Sequence, residues 1–332
     1  MSFDFLENKA ILITGGTGSF GQKMAHYLLK NTGAGKVVIF SRDELKQSQM
    51  QADLADFEDR TRFFIGDVRD LERLQLAFNS MDYILHAAAL KQVPALEYNP
   101  IEAIRTNVLG TQNVISAALN KKVKKVLLIS TDKAANPANL YGATKLCAEK
   151  LTISSNVYSG DSGTSLSVVR YGNVLGSRGS LLQVIEKQKQ NGEVALTHEK
   201  MTRFWVTLDQ GVKFVLESLE QMVGGEIFIP KIPSMKIKDF IAQVAPNCKI
   251  KIIGMRPGEK IHETLVTLEE CKHTMEFKDR YVIFPEYNWW TEETTKNNYK
   301  DGKQLAEGTL IASHTNSQWL DEDGLKKLID SL

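Results

Sequence analysis

The apolar run AILIT at 10–14 leads directly into GGTGSFG at 15–21, and this junction restricts the fold more than any other stretch of the chain. Gly15 permits a tight turn, Gly18 lets the main chain approach a pyrophosphate, and Gly21 lets the next helix, expected over 19–30, lie close to the strand. Thr17, Ser19 and Phe20 complete a turn whose free N–H groups, at a helix N-terminus, favour phosphate. A Gly-rich turn can merely join a strand to a helix, but a βαβ pattern follows this one. No Gly-Lys-Ser/Thr follows, which argues against a triphosphatase loop.

Further short apolar runs occur at VVIF (37–40), FFIG (63–66), YILHA (83–87), VLLIS (126–130) and LSVVRY (166–171). Helical stretches separate them, including 101–119 and 140–151. This alternation predicts a Rossmann-type α/β fold, a parallel sheet covered by helices, with a smaller discontinuous α/β substrate lobe. Residues 1–172 are expected to bind the dinucleotide, with a return segment near 205–224 that contains the helical FVLESLEQM. Residues 173–332 are expected to form mainly the smaller substrate lobe and a tail, with EIFIP (226–230) and KIIG (251–254) as strands near that lobe. The tail after Pro285 carries Trp289, Trp290 and Trp319, so packing onto the body or another subunit is expected.

The formal charge is +1, from 41 basic and 40 acidic residues, and nothing in that balance calls for nucleic acid. An acidic N-terminus and the lack of a long apolar run predict neither signal peptide nor membrane span. Cys147, Cys248 and Cys271 are odd in number and lack ligand spacing, and the six histidines are scattered. A reduced, cytoplasmic setting without a metal is expected.

Ser41, Arg42 and Asp43 follow the second strand. A carboxylate there suits the adenosine ribose 2′-hydroxyl, whereas an arginine suits a 2′-phosphate. Because Arg42 precedes Asp43 and Ser41 can also donate, NADP is expected, with NAD kept open by Asp43. Asp67 and Val68 are candidates to flank the adenine, although Asp67 could simply cap a helix. Ala87 and Ala88 are small enough for a dinucleotide to pass.

STDKAANPANLYGATK, residues 130–145, holds the densest chemistry. Tyr141 and Lys145, four apart, share one helix face, and the lysine can stabilise a phenolate that takes a proton from an alcohol as hydride leaves. Thr131, Asp132 and Lys133 sit at a strand end, where the ligand crevice of a parallel sheet opens. Simple alcohol oxidation or 4-epimerisation needs no further acid–base pair, so Asp132-Lys133 points to an additional step.

These segments, together with SRDELKQ (41–47), GDVRD (66–70), HAAALKQVP (86–94), VVRYGNVLGSRGS (168–180), MTRFW (201–205) and MRPGEKIHE (255–263), resemble the extended short-chain dehydrogenases/reductases. Within them, the chain resembles the soluble C5-inverting UDP-N-acetylglucosamine 4,6-dehydratases of pseudaminic acid biosynthesis and flagellin glycosylation. The resemblance implies an NADP-dependent hydro-lyase acting on UDP-N-acetylglucosamine and a homo-oligomer. Tyr141 would oxidise C4, Lys133 would take the C5 proton as a neutral amine, and Asp132 would protonate the leaving 6-hydroxyl. Hydride would return to C6 and C5 would be reprotonated on the opposite face, giving UDP-2-acetamido-2,6-dideoxy-β-L-arabino-hex-4-ulose. Retaining relatives carry Asp-Glu where this chain has Asp132-Lys133. Lys91 and Asn173 are expected near the sugar nucleotide, as are Arg203, Arg256 and Glu259, with lobe packing the alternative for the last three. A C5-retaining dehydratase, a 4-epimerase and a non-enzymatic binding protein are the competing readings.

Overall fold

The first half of the main sheet follows the apolar runs. In the computed structural model, which describes residues 3–330, β1 (Ala10–Thr14), β2 (Lys36–Ser41), β3 (Thr61–Ile65), β4 (Tyr83–His86), β5 (Lys125–Ile129) and β6 (Ser165–Val169) are parallel. Their spatial order is β3-β2-β1-β4-β5-β6, so the winding reverses between β1 and β4 and opens a crevice at the strand C-termini. Ile11, Ile13, Val37 and Ile39 point to one apolar cluster, and Leu12, Val38 and Phe40 to another. Both faces are buried, which explains why these strands read as unbroken apolar runs.

Helix α1 (Ser19–Asn31) covers the first face with Met24 and Leu28, beside α9 (Leu208–Gln221) with Val212, Val215 and Leu219. On the opposite face, α3 (Leu71–Ala77) and α6 (Gly110–Asn120) present Leu74, Val114, Ile115 and Ala118. The return helix α9 starts earlier than the apolar pattern indicates because Thr207 begins a capping box: its hydroxyl accepts from Gln210 N at 3.2 Å, and Gln210 Oε1 accepts from Thr207 N at 3.0 Å. A cap of this kind contributes about 1 kcal/mol. The helix expected across 101–119 is interrupted: after α5 (Pro100–Ala103), residues Ile104–Leu109 form a π-helical turn before α6.

Beyond β6 the sheet departs from the sequence expectation. EIFIP forms β10 (Ile227–Pro230), which pairs in parallel with β6 and so belongs to the main sheet, not to the lobe. β14 (Thr274–Glu276), β15 (Arg280–Ile283) and β16 (Lys303–Gln304) continue it antiparallel, to ten strands. Buried Glu226 anchors this edge, its Oε1 accepting from Tyr299 Oη at 2.7 Å and its Oε2 from Ser167 Oγ at 2.5 Å. Trp290 stacks on Phe284 at 5.4 Å, so the tail packs onto the body.

A third apolar cluster lies after β6. There β7 (Asn173–Val174), β9 (Thr202–Val206) and β11 (Ser234–Lys236) form one small sheet, and β8 (Glu193–Leu196) pairs with β12 (Lys249–Ile252), two residues ahead of the expected strand. Trp205 stacks on Phe240 at 4.4 Å in its core. Among the described residues, no helix is long and apolar enough to cross a membrane.

Candidate active site

One cleft of about 1000 Å³ runs from the Gly-rich turn to the ends of β5 and β6. Its first wall contains Gly15, Thr17, Gly18, Ser19, Phe20 and Gly21. Gly15 has φ +67°, and a Cβ there would stand 2.9 Å from Ala88 Cα, so both the turn and the neighbouring strand end require glycine. Gly18 is the N-cap of α1, and a Cβ on it would meet only the Gly15 carbonyl, at 3.1 Å. The turn is thus an open cradle of main-chain N–H groups that fits a dinucleotide pyrophosphate. Ser41, Arg42, Asp67, Val68, Ala87 and Ala88 line the same cleft. Asp67 is tied to Arg69 through Oδ2 at 2.9 and 2.7 Å; against partial burial, these bonds hold its carboxyl below the ordinary range.

At the other end, Asp132–Ala134 form a 3₁₀ turn immediately after β5. Asp132 N donates to Tyr171 O at 3.0 Å, which fixes the turn against the end of β6. Helix α7 (Leu140–Ser154) starts on Asn139, whose Oδ1 accepts from Gly142 N at 2.8 Å. Gly142 lets the helix approach: a Cβ there would lie 2.1 Å from the Lys133 carbonyl. Tyr141 and Lys133 are thereby brought to one wall with Thr131, Lys145, Lys91 and Asn173. The π turn supports this wall from behind: Asn107 bonds both main-chain groups of Leu90 and donates to Thr144 Oγ1 at 3.0 Å.

The charges here are strongly coupled to their surroundings. Burial pushes Tyr141 up to about 12, although Lys133 and a hydrogen bond with Thr131 oppose the shift. Burial pulls Lys145 down to about 8, with Glu149 opposing it. Lys133 differs from the neutral amine that base action requires. Its Nζ lies 3.0 Å from Asp132 Oδ1 and 3.2 Å from Glu263 Oε1, and against burial these carboxylates raise it above the ordinary amine value. Asp132 is fully buried and raised, first by burial and further by Glu263; its Oδ2 has no hydrogen-bond partner.

The remaining sequence candidates are placed elsewhere. The Arg203 guanidinium donates to the carbonyls of Thr202, Ile261 and Lys260 at 2.7, 3.1 and 2.9 Å, so three of its five N–H groups are engaged within the fold, and it does not line the cleft. Arg256 N donates to Glu259 Oε2 at 3.2 Å, and neither residue lines the cleft. Glu263 is the residue that sequence reasoning missed; it closes the MRPGEKIHE segment, but only the docking of that loop, with Asn139 Nδ2 donating to Gly258 O at 2.8 Å, brings it to Lys133. Among the described residues, no group of His, Cys, Asp and Glu could hold a metal ion.

Residues 11–285 match the polysaccharide biosynthesis protein family. The chain is 47% identical to a UDP-N-acetylglucosamine 4,6-dehydratase (inverting) of Campylobacter jejuni, covering 97% of each chain. It is 42% identical to a UDP-glucose 4-epimerase of Rickettsia rickettsii, covering 83% of each. The crystal structure of Pen from Bacillus thuringiensis superposes with TM-score 0.90 at 37% identity, covering 98% of each chain. The expectation of an NADP-dependent enzyme is corrected by more distant neighbours solved with cofactor. A dTDP-glucose 4,6-dehydratase from Streptomyces venezuelae (TM-score 0.68, 20% identity, 76% of this chain and 86% of that one) carries NAD. So does a UDP-glucose 4-epimerase from Thermus thermophilus (0.64, 22%, 75% and 88%). The physical reason lies in Arg42, which faces Asp67 Oδ2 at 3.5 Å, a carboxylate that partly cancels its charge toward a 2′-phosphate. The chain belongs to the polysaccharide biosynthesis protein family and is a close homologue of the inverting UDP-N-acetylglucosamine 4,6-dehydratases.

Proposed function

We propose that this protein removes water from UDP-N-acetylglucosamine with inversion at C5, retaining NAD in the cleft through each turnover. The observation that carries the proposal is the Asp132–Lys133 pair, 3.0 Å apart on a braced turn beside Tyr141. The homology to the Campylobacter jejuni enzymes supports it. Residues 1–172 form the dinucleotide-binding part together with α9 and the strands β10, β14, β15 and β16 that extend its sheet, and the rest of 173–332 forms mainly the sugar-nucleotide part.

Bound NAD supplies a hydride acceptor for C4 and the donor that later serves C6. Tyr141 takes the 4-hydroxyl proton, with Thr131 and the nearby positive charge of Lys133 favouring its phenolate. Lys145, held to the Ile129 carbonyl at 2.8 Å, presents its amine to the nicotinamide end of the cleft. A ketone at C4 acidifies the C5 proton, which Lys133 removes, while Asp132 delivers a proton to the departing 6-hydroxyl. Asn173, whose Oδ1 is 3.5 Å from Lys133 Nζ, and Lys91 border the sugar.

Incubation with UDP-N-acetylglucosamine in D₂O, followed by mass spectrometry and proton NMR of the early product, tests the proposal. Loss of one water, deuterium at C5 and an L-arabino product are expected, without net reduction of NAD. Retention of the 6-hydroxyl refutes dehydration, and an early D-xylo product refutes the inversion.

A further inference from the structure

Glu263 stands where the loop after β12 meets the turn after β5, and it is only 2% exposed. Its Oε1 lies 3.2 Å from Lys133 Nζ and 3.6 Å from Arg203 Nε, and its Oε2 lies 3.4 Å from Lys260 Nζ. Lys260 in turn donates to Ala135 O at 2.8 Å, so the carboxylate is fixed to the turn that carries Lys133. Lys133 Nζ is thus gripped from two sides, by Asp132 and by Glu263. The other groups that act on it are Arg203, Tyr141, Lys91 and the Asn173 side-chain oxygen.

We propose that Glu263 is a positioning residue for dehydration: it holds the Lys133 ammonium beside Asp132 and sets how readily one proton passes between the two. The proposal rests on the dehydratase reading. When a proton crosses the 3.0 Å from Lys133 Nζ to Asp132 Oδ1, an N–H bond breaks, an O–H bond forms, and the net charge of the cluster is unchanged. The ammonium–carboxylate pair becomes an amine and a carboxylic acid, so the base for C5 and the acid for the 6-hydroxyl arise together. Taking the C5 proton restores the ammonium, and release of water restores the carboxylate. Glu263 stays ionised throughout, held down to about 2, against burial, by Lys133, Arg203 and Lys260. Its fixed negative charge favours protons on both partners, so the two protonation equilibria of the pair shift together when it is removed.

The test compares wild type, Glu263→Gln and Glu263→Asp across pH, following water loss from UDP-N-acetylglucosamine and, separately, NAD binding. In the Gln variant both limbs of the kcat profile are expected to move down by about one unit or more, the size of effect a neighbouring charge exerts. On the alkaline limb kcat then falls about tenfold, while KM and NAD affinity stay within about threefold. Glu263→Asp, which keeps the charge, should return the limbs toward the wild-type position. Unmoved limbs with only a lower amplitude, or a raised KM with kcat intact, overturn the proposal. Should the Gln variant fail to fold, ¹⁵Nζ NMR of lysine-labelled wild type decides, the Lys133 signal being assigned by its loss in Lys133→Met. It should remain an ammonium at pH values where surface lysines deprotonate, and titration below them overturns the clamp. A wild type that folds but does not dehydrate refutes the functional reading instead, and the NMR titration still tests the clamp.

Discussion

Lys145 Nζ donates a 2.8 Å hydrogen bond to the carbonyl of Ile129, the last residue of β5, and so ties the middle of α7 to the strand that delivers Thr131. The amine is buried, and this holds it at about 8 in the folded chain, below its ordinary 10.5.

That shift has a signed consequence for stability. Between the two values the unfolded chain binds more protons than the folded one, so the lysine penalises folding fully below pH 8 and progressively less up to 10.5. Lys145→Met removes the term, which is on the order of 3 kcal/mol at most. Denaturant unfolding should show wild type gaining stability relative to the Met variant as pH rises from 8 to 10. A difference that does not change with pH would contradict the buried, shifted amine.

Two glycines of the first turn should respond differently to one methyl group. Gly15→Ala places a Cβ against Ala88 at positive φ and is expected to lower the melting temperature as well as abolish NAD binding. Gly18→Ala meets only one carbonyl, so folding should change by less than about 1 kcal/mol. Its methyl group nevertheless occupies the pyrophosphate side of the cradle, and NAD affinity should fall by about tenfold or more. Calorimetric titration and thermal melting of both variants separate the two effects.

Tyr299→Phe deletes the 2.7 Å hydrogen bond to the buried Glu226 carboxylate while keeping the ring against Phe284 and Phe228. A hydrogen bond to a buried charge contributes about 1.5–3 kcal/mol, and chemical denaturation should report a loss of that size. Activity per folded molecule should be unchanged, since Tyr299 lies outside the cleft.

The parallel half of the sheet was legible because β1, β2, β4, β5 and β6 are largely buried on both faces, edge strand β3 still keeps Phe63 and Phe64 half-buried, and each is followed by a turn or helix of recognisable chemistry. The Tyr141/Lys145 pair was legible for a similar reason, since four residues on a helix fix a shared face without reference to the rest of the chain. Partnership at long range was not. The apolar run that forms β10 marks a strand, but nothing local says that its neighbour is β6. Arg203 has the chemistry of a phosphate ligand, yet main-chain carbonyls from its own strand and from residues 260–261 take three of its five N–H donors. Glu263 carried no distinguishing local signal, because its importance comes from Lys133, which lies far away in sequence. The π turn was hidden because Ile104–Leu109 keeps an apolar spacing compatible with an ordinary helix.

Strand β10 is held between β6 and β15, and β15 leads to β14 and, through the tail, to β16. A ribosome releases these segments long after β6. During synthesis β6 therefore waits with an unfilled edge, a template for wrong pairing between nascent chains. Correct closure is a late event that depends on the last third of the polypeptide, so a stalled or prematurely terminated product would carry the Gly-rich turn and the Tyr141 helix yet remain adhesive along β6.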